Sequence, residues 1–229
     1  LVKMKNTSRI TLDQLADKYD TDKSTRSTHR SRHGYAPIYD EILSNLRDEP
    51  IRMLEVGICM EGTSGGQSVR MWRDYFTRAE LYTFDIVDMH WMERAKEFEG
   101  RVSFYQGDQG DRSTLASMYD YYGAKPFDFV LEDGSHQHRH QMISLGHLFK
   151  YVKSGGIYIL EDVSIPGQPV CCIRNDETFE VLADFAKTNT INSRYITPEE
   201  SAYIEENTLS MVMYPDIQNA YCTVVITKK

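Results

Sequence analysis

Short apolar runs recur along the middle of the chain at near-regular intervals. They cover Ile51–Val56, Leu81–Ile86, Val102–Gln106, Phe127–Glu132 and Ile157–Asp162, with starts 30, 21, 25 and 30 residues apart. Their length and polar flanks predict buried strands. Helical patterns over Ser68–Phe76, Trp91–Phe98, Arg112–Tyr122 and His140–Val152 fill most of the gaps. Strands alternating with helices at this spacing predict βαβ units and a parallel sheet. The two ends differ. Thr11-Leu-Asp-Gln14 has the form of a capping box and predicts a helix running toward Tyr19. The polar stretch that follows, Asp20–Thr25, predicts a mobile loop. A second helix is predicted from Pro37, with Ile38, Ile42 and Leu46 on one face, ending by Pro50. After the fifth strand, Asp176–Lys187 reads as a helix, and Leu209–Tyr214 and Cys222–Thr227 read as paired strands. The expected architecture is an open α/β sheet, mostly parallel, with an antiparallel end.

A length of 229 residues suits one sizeable domain. The formal net charge of -8 argues against a nucleic-acid surface, although residues 23–33 form a local basic patch. Cysteines 59, 171, 172 and 222 show neither C-x-x-C nor disulfide-scaffold spacing, so a reducing, cytoplasmic setting is expected. No apolar run reaches the ~20 residues of a membrane span, and no signal peptide precedes the first helix. The first residue is Leu1, as in a domain cut from a longer protein or a chain freed of a tag. The residues leave a homo-oligomer open.

In open parallel sheets, ligands bind beyond the carboxyl ends of the strands. Here those ends carry Glu55 and Gly57, Asp85, Asp108, Asp133, and Glu161-Asp162. The first loop, Glu55 to Gly66, departs from G-x-G-x-x-G at Cys59, and Thr63 stands where a P-loop has lysine. A glutamate in that loop repels phosphate but suits a cationic amino-acid head. S-adenosylmethionine therefore fits better than a dinucleotide or a triphosphate. The candidate cofactor set is Glu55, Gly57, Thr63, Ser64, Asp85, Asp108 and Gln109, with Asp85 on the ribose and Asp108-Gln109 at the adenine edge. The bland alternative is that the glycines only shape a turn.

Asp133-Gly-Ser-His136 follows the fourth strand and Glu161-Asp162 ends the fifth. Parallel neighbours lie ~4.8 Å apart, so these carboxylates converge if the two strands are adjacent. Asp133, Glu161 and Asp162 would then offer hard oxygens to Mg2+ or Mn2+. His136 at the same mouth is the candidate general base, with Asp133 beside it in the catalytic set. His138 and His140 fail the zinc-hydrolase pattern and are expected to make ordinary contacts on a helix face.

With these residues in view, the chain resembles the metal-dependent sugar O-methyltransferases of the macrocin, mycinamicin and aminocoumarin type, class I S-adenosylmethionine-dependent enzymes. The matching stretches are LADKYDTDK (Leu15–Lys23), His33-Gly-Tyr35, LRDEPIRMLEVG (Leu46–Gly57), RMWRDYF (Arg70–Phe76), GDQGD (Gly107–Asp111), LEDGSH (Leu131–His136) and GGIYILED (Gly155–Asp162). The resemblance implies a Rossmann-like seven-stranded sheet with helices on both faces and an antiparallel C-terminal strand. It also implies an N-terminal helical lid over residues 1–48, on a core of residues 49–229, together making one methyltransferase domain. It assigns the metal to the equivalents of Asp133, Glu161 and Asp162 and the base to His136. The TDK…HGY segment, Tyr35 included, would cover cofactor and substrate. Asp20 stands where the family has glycine, and Glu132 replaces a common aspartate. The tail after Val163 does not match closely. The implied reaction is transfer of a methyl group to a sugar hydroxyl. A nicotinamide oxidoreductase and a non-catalytic binding domain are the alternatives.

Overall fold

The computed structural model describes residues 9–28, 32–58, 65–88, 100–170, 173–216 and 220–229. The predicted helix over 91–98, and Thr63 and Ser64 of the first loop, lie outside them. Strands β1 (Arg52–Val56), β2 (Glu80–Asp85), β3 (Val102–Gln106), β4 (Phe127–Glu132), β5 (Val152–Ser164), β6 (Thr208–Asp216) and β7 (Tyr221–Lys228) form one sheet. Their order is β3-β2-β1-β4-β5-β7-β6. The first five pair in parallel, and β7 inserts antiparallel between β5 and β6.

Side chains alternate across this sheet and divide the core in two. Met53, Phe129, Leu131 and Ile159 face helices α1 (Leu12–Lys18), α2 (Ala36–Leu43) and α3 (Gln67–Tyr75). Leu54, Val56, Val130, Tyr158 and Leu160 face α4 (Arg112–Tyr121), α5 (His138–Leu148), α6 (Asp176–Thr188) and α7 (Pro198–Asn207). Both faces are therefore covered, as a parallel sheet requires. Among the described residues, no helix is long and apolar enough to cross a membrane.

The Thr11 capping box forms as expected: its side chain accepts from the Gln14 N–H, and Gln14 reaches back to the Thr11 N–H. Two expectations need correction, and one helix has no counterpart among them. The second helix gives way to a 3-10 turn at Ser44–Leu46 well before Pro50. Helix α7 was not anticipated, although Thr197-Pro-Glu-Glu200 forms a second capping box with proline at its first position. The segment after α1 is not a mobile loop: Thr21, Lys23 and Ser24 are at most 2 % exposed. The Thr21 N–H donates to the Ala16 carbonyl and the Ala36 N–H to the Lys23 carbonyl, pinning the segment at both ends. Asp20 takes φ 52°, a left-handed turn in which glycine is the least strained residue.

Candidate active site

Register brings the site together. Val56 pairs with Glu132, and Glu132 with Leu160. The next residue of each strand therefore emerges at one level: Gly57, Asp133 and Glu161. Gly57 has φ 85°, and a Cβ there would lie 2.0 Å from the Asp133 carbonyl oxygen. Only glycine lets the β1 and β4 loops approach this closely.

On β5 the expected strand end is overrun, because pairing with β7 continues to Ser164 across an irregularity between Leu160 and Val163. Regular alternation would send Glu161 and Asp162 to opposite faces. A bulge with Asp162 at φ 54° instead turns both toward the site, while Leu160 and Val163 stay in the same half of the core.

The two acids are held differently. Glu161 is 1 % exposed; its Oε1 accepts from the Tyr39 hydroxyl at 2.5 Å and its Oε2 from the Lys23 ammonium at 2.9 Å. Lys23 also donates to Asp133 Oδ2 at 2.6 Å. Asp162 Oδ1 accepts from the Tyr35 hydroxyl at 2.8 Å, and its Oδ2 lies 3.3 Å from His33 Nε2 and 3.7 Å from His136 Nε2. His136 Nε2 is 4.0 Å from Asp133 Oδ1. Burial and the Asp133 charge push Glu161 well above the usual carboxylate range, against the pull of Lys23. Burial would also raise Asp162, but His33, His136 and the Tyr35 bond outweigh it and hold it low. Burial opposes a charge on His136, yet the Asp162, Asp133 and Glu132 carboxylates raise it above its ordinary value.

The donors fit a divalent cation. One ligand atom from each of Asp133, His136 and Asp162 falls within 4.8 Å of the others. Carboxylate oxygens suit Mg2+ or Mn2+. The buried His33 Nδ1 and His136 Nδ1 find no hydrogen-bond partner among the described residues, as in a site built around a further polar group. Glu161, implied as a third ligand, has both oxygens engaged by Tyr39 and Lys23.

Beside this cluster opens a cavity of about 350 Å³, lined among others by Gly57, Asp85, Asp108, Gly134 and His140. Asp85 sits on its wall, accepting from the Ile58 N–H at 2.8 Å and the Val87 N–H at 2.9 Å. Asp108 is exposed at the rim and accepts from the Gly110 N–H. Gln109 lines the cavity, but its amide is engaged: it donates to Glu132 and Ser144 and accepts from the Ser135 N–H. Both amide hydrogens of Gln109 are engaged, so an adenine-edge contact would fall to its carbonyl oxygen, which accepts from Ser135 with one lone pair left. A smaller cavity of about 110 Å³ shares Gly57, Asp133 and Gly134 and adds Thr21, Asp22, Lys23, Ser68 and His136.

Two residues of the expected cofactor set lie off the walls of both cavities. Tyr35, 1 % exposed, sits beneath Asp162. Glu55, 2 % exposed, accepts from the Trp72 indole N–H at 3.2 Å, and burial raises it to about 7. Conversely, Lys23, His33 and Tyr39 carry much of the cluster without having been singled out. Lys23 and His33 fall inside the matching TDK and HGY stretches, the one signal that could have found them. His138 meets the Thr178 hydroxyl, an ordinary contact as expected. His140, also expected to make only ordinary contacts, bonds Ser135 and faces the larger cavity as well.

Residues 60–163 match the methyltransferase domain family. The chain is 37 % identical over 154 residues to demethylmacrocin O-methyltransferase of Streptomyces fradiae, covering 66 % of this chain and 36 % of that protein. It is 35 % identical over 154 residues to mycinamicin VI 2''-O-methyltransferase of Micromonospora griseorubida, with the same coverage. The chain thus spans little more than a third of these curated relatives. Among solved structures it is similar to the MycE methyltransferase of the mycinamycin biosynthetic pathway, in complex with Mg, SAH and mycinamycin VI. That match has a TM-score of 0.71 and 27 % identity, covering 96 % of this chain and 55 % of that one. By sequence and by fold, this chain is similar to these sugar O-methyltransferases, and its residues 60–163 match the methyltransferase domain family.

Proposed function

We propose that the chain transfers a methyl group from S-adenosylmethionine to a hydroxyl of a sugar-containing substrate, with a divalent cation. The observation that carries this is the shared wall of the two features: Gly57, Asp133 and Gly134 border the cavity beneath Asp85 and also adjoin the carboxylate and histidine cluster. The relatives' names add the substrate class, because they are sugar O-methyltransferases of macrolide and tetracenomycin glycosides.

When bound at Asp133 and Asp162, a cation supplies positive charge that acidifies a sugar hydroxyl, a very weak acid on its own. The chain's residues do the rest. Asp85 accepts the ribose hydroxyls in the cavity that Gly57 and Gly134 also line. His136, which acts in its neutral form against the pull of Asp162 and Asp133, takes the hydroxyl proton as the new C–O bond forms and the sulfonium C–S bond breaks. Glu161, clamped by Tyr39, anchors the Lys23 ammonium that also bonds Asp133. Fixing the hydroxyl against the methyl carbon contributes much of the acceleration. The reading carries a reducing intracellular setting.

Mass spectrometry of macrolide and polyketide glycosides incubated with cofactor and protein tests the proposal. A mass gain of one methylene, present with Mg2+ and abolished by EDTA, is expected. Methylation indifferent to EDTA would remove the cation from the mechanism. Failure across glycosides by a protein that binds S-adenosylhomocysteine would remove the sugar.

A further inference from the structure

His136 and Asp162 share an unusual property: neither is glycine, yet both adopt left-handed backbone, at φ 56° and 54°. Such conformations persist only where surrounding structure over-determines them. One side chain reaches both. The Asn175 amide nitrogen lies 2.7 Å from the His136 carbonyl oxygen and 3.0 Å from the Asp162 carbonyl oxygen. It also lies 2.9 Å from Gln141 Oε1, and Gln141 Nε2 donates in turn to the Glu161 carbonyl at 3.0 Å. Two N–H groups are thus shared among three acceptors that fix residues 136, 141 and 162.

The orientation of this amide is set from its other end. Asn175 Oδ1 accepts from the Ser164 N–H at 2.5 Å, while the Asn175 N–H donates to the Ser164 hydroxyl at 2.8 Å. A flipped amide would turn its oxygen onto two carbonyls and its N–H onto a donor. Asn175 is 3 % exposed and occupies the N-cap position of α6. Asparagine is among the best residues for bonding the first-turn N–H groups from that position. Here its side chain makes no capping bond and turns into the site instead.

From this geometry we infer that Asn175 is a positioning residue, holding His136 and Asp162 in register with each other through their backbone carbonyls. It touches neither cavity wall and acts only through those residues. The inference rests on the proposed roles of His136 as base and Asp162 as ligand.

Kinetics and crystal structures of wild type, Asn175→Ala, Asn175→Asp and Thr178→Val test it. Asn175→Asp keeps the size and the acceptor for the Ser164 N–H but removes the donors. Thr178 is equally buried in α6 and bonds His138, so Thr178→Val controls for general loosening of that helix. Both Asn175 variants should lose about 100-fold in kcat, as misplaced groups do, with KM for cofactor and sugar within about threefold. Thr178→Val should stay within about threefold of wild-type kcat. In crystals of the Asn175 variants, His136 or Asp162 should leave the left-handed region. Unchanged kcat, or both residues still at positive φ, would overturn the assignment. If Asn175→Ala does not fold, Asn175→Asp decides. If wild type transfers no methyl group, the functional reading fails, and the crystallographic comparison alone decides the positioning role.

Discussion

The ammonium of Lys23 lies 2.6 Å from the carboxylate of Asp133, joining points 110 residues apart in the chain. Lys23 is 1 % exposed and also grips Glu161, so the segment after α1 is fastened to the end of β4 and to Glu161 within β5 by a buried charge. Burial opposes that charge, but Asp133, Glu161 and Asp22 keep it well established.

Replacing Lys23 by Met removes a buried cation from between Asp133, Glu161 and Asp22. Losing one partner of a buried pair costs roughly 3–5 kcal/mol. Thermal unfolding at neutral pH should show a lower Tm, and saturating Mg2+ should raise it more in Lys23→Met than in wild type. An equal Mg2+ response in both proteins would mean that ammonium and dication do not serve the same carboxylates.

His136→Ala should lower kcat by about 10²- to 10⁴-fold, the span of general-base contributions. Calorimetry should find S-adenosylhomocysteine binding within about threefold of wild type, because the ring faces Asp133 and Asp162 rather than Asp85. Turnover that survives the substitution would move the base elsewhere.

Asp85→Ala should weaken S-adenosylhomocysteine binding by at least about tenfold. Hydrogen bonds to a charged acceptor are worth about 1.5–3 kcal/mol, and 1.4 kcal/mol is a factor of ten. The variant also frees the Ile58 and Val87 N–H groups that Asp85 accepts. Calorimetry gives the affinity directly; unchanged binding would take the ribose away from this residue.

Much of this was legible in the sequence because strand periodicity and strand-end acids are local signals. β3 and β4 fall where the apolar runs predict them, and β5 lies beside β4, as the convergence of Asp133 with Glu161-Asp162 required. What was not legible depends on long-range pairing. A lysine in a polar stretch reads as solvated, and nothing near Lys23 announces partners at 133 and 161. The bulge at Asp162 comes from pairing with β7, a strand that arrives some sixty residues later. Gln109 lines the larger cavity, but its engagement with Glu132 joins two different strand ends and has no local sign. Asn175 carries no motif at all.

Glu200 gives a pH-dependent stability. It accepts from Arg112 at 2.7 and 2.8 Å and lies 3.8 Å from His147 Nδ1, joining α7 to α4 and α5. Burial would raise it, but Arg112, His147 and the Thr197 N–H hold it down at about 2. The folded value lies below the unfolded ~4.3, so this stabilisation is full above that pH and is lost as pH falls toward 2. Glu200→Gln should cost about 1–2 kcal/mol at pH 7, after screening by solvent. Urea unfolding should show the gap between the proteins closing through that acid window. A gap independent of pH would assign the cost to packing.

A crystal of this chain soaked with S-adenosylhomocysteine and Mg2+ bears most directly on the whole account. The nucleoside should fill the cavity between Asp85 and His140, with its ribose on Asp85, and one ion should bridge Asp133 and Asp162 beside His136. A nucleoside bound away from Asp85, or an ion that leaves both aspartates free, would contradict it.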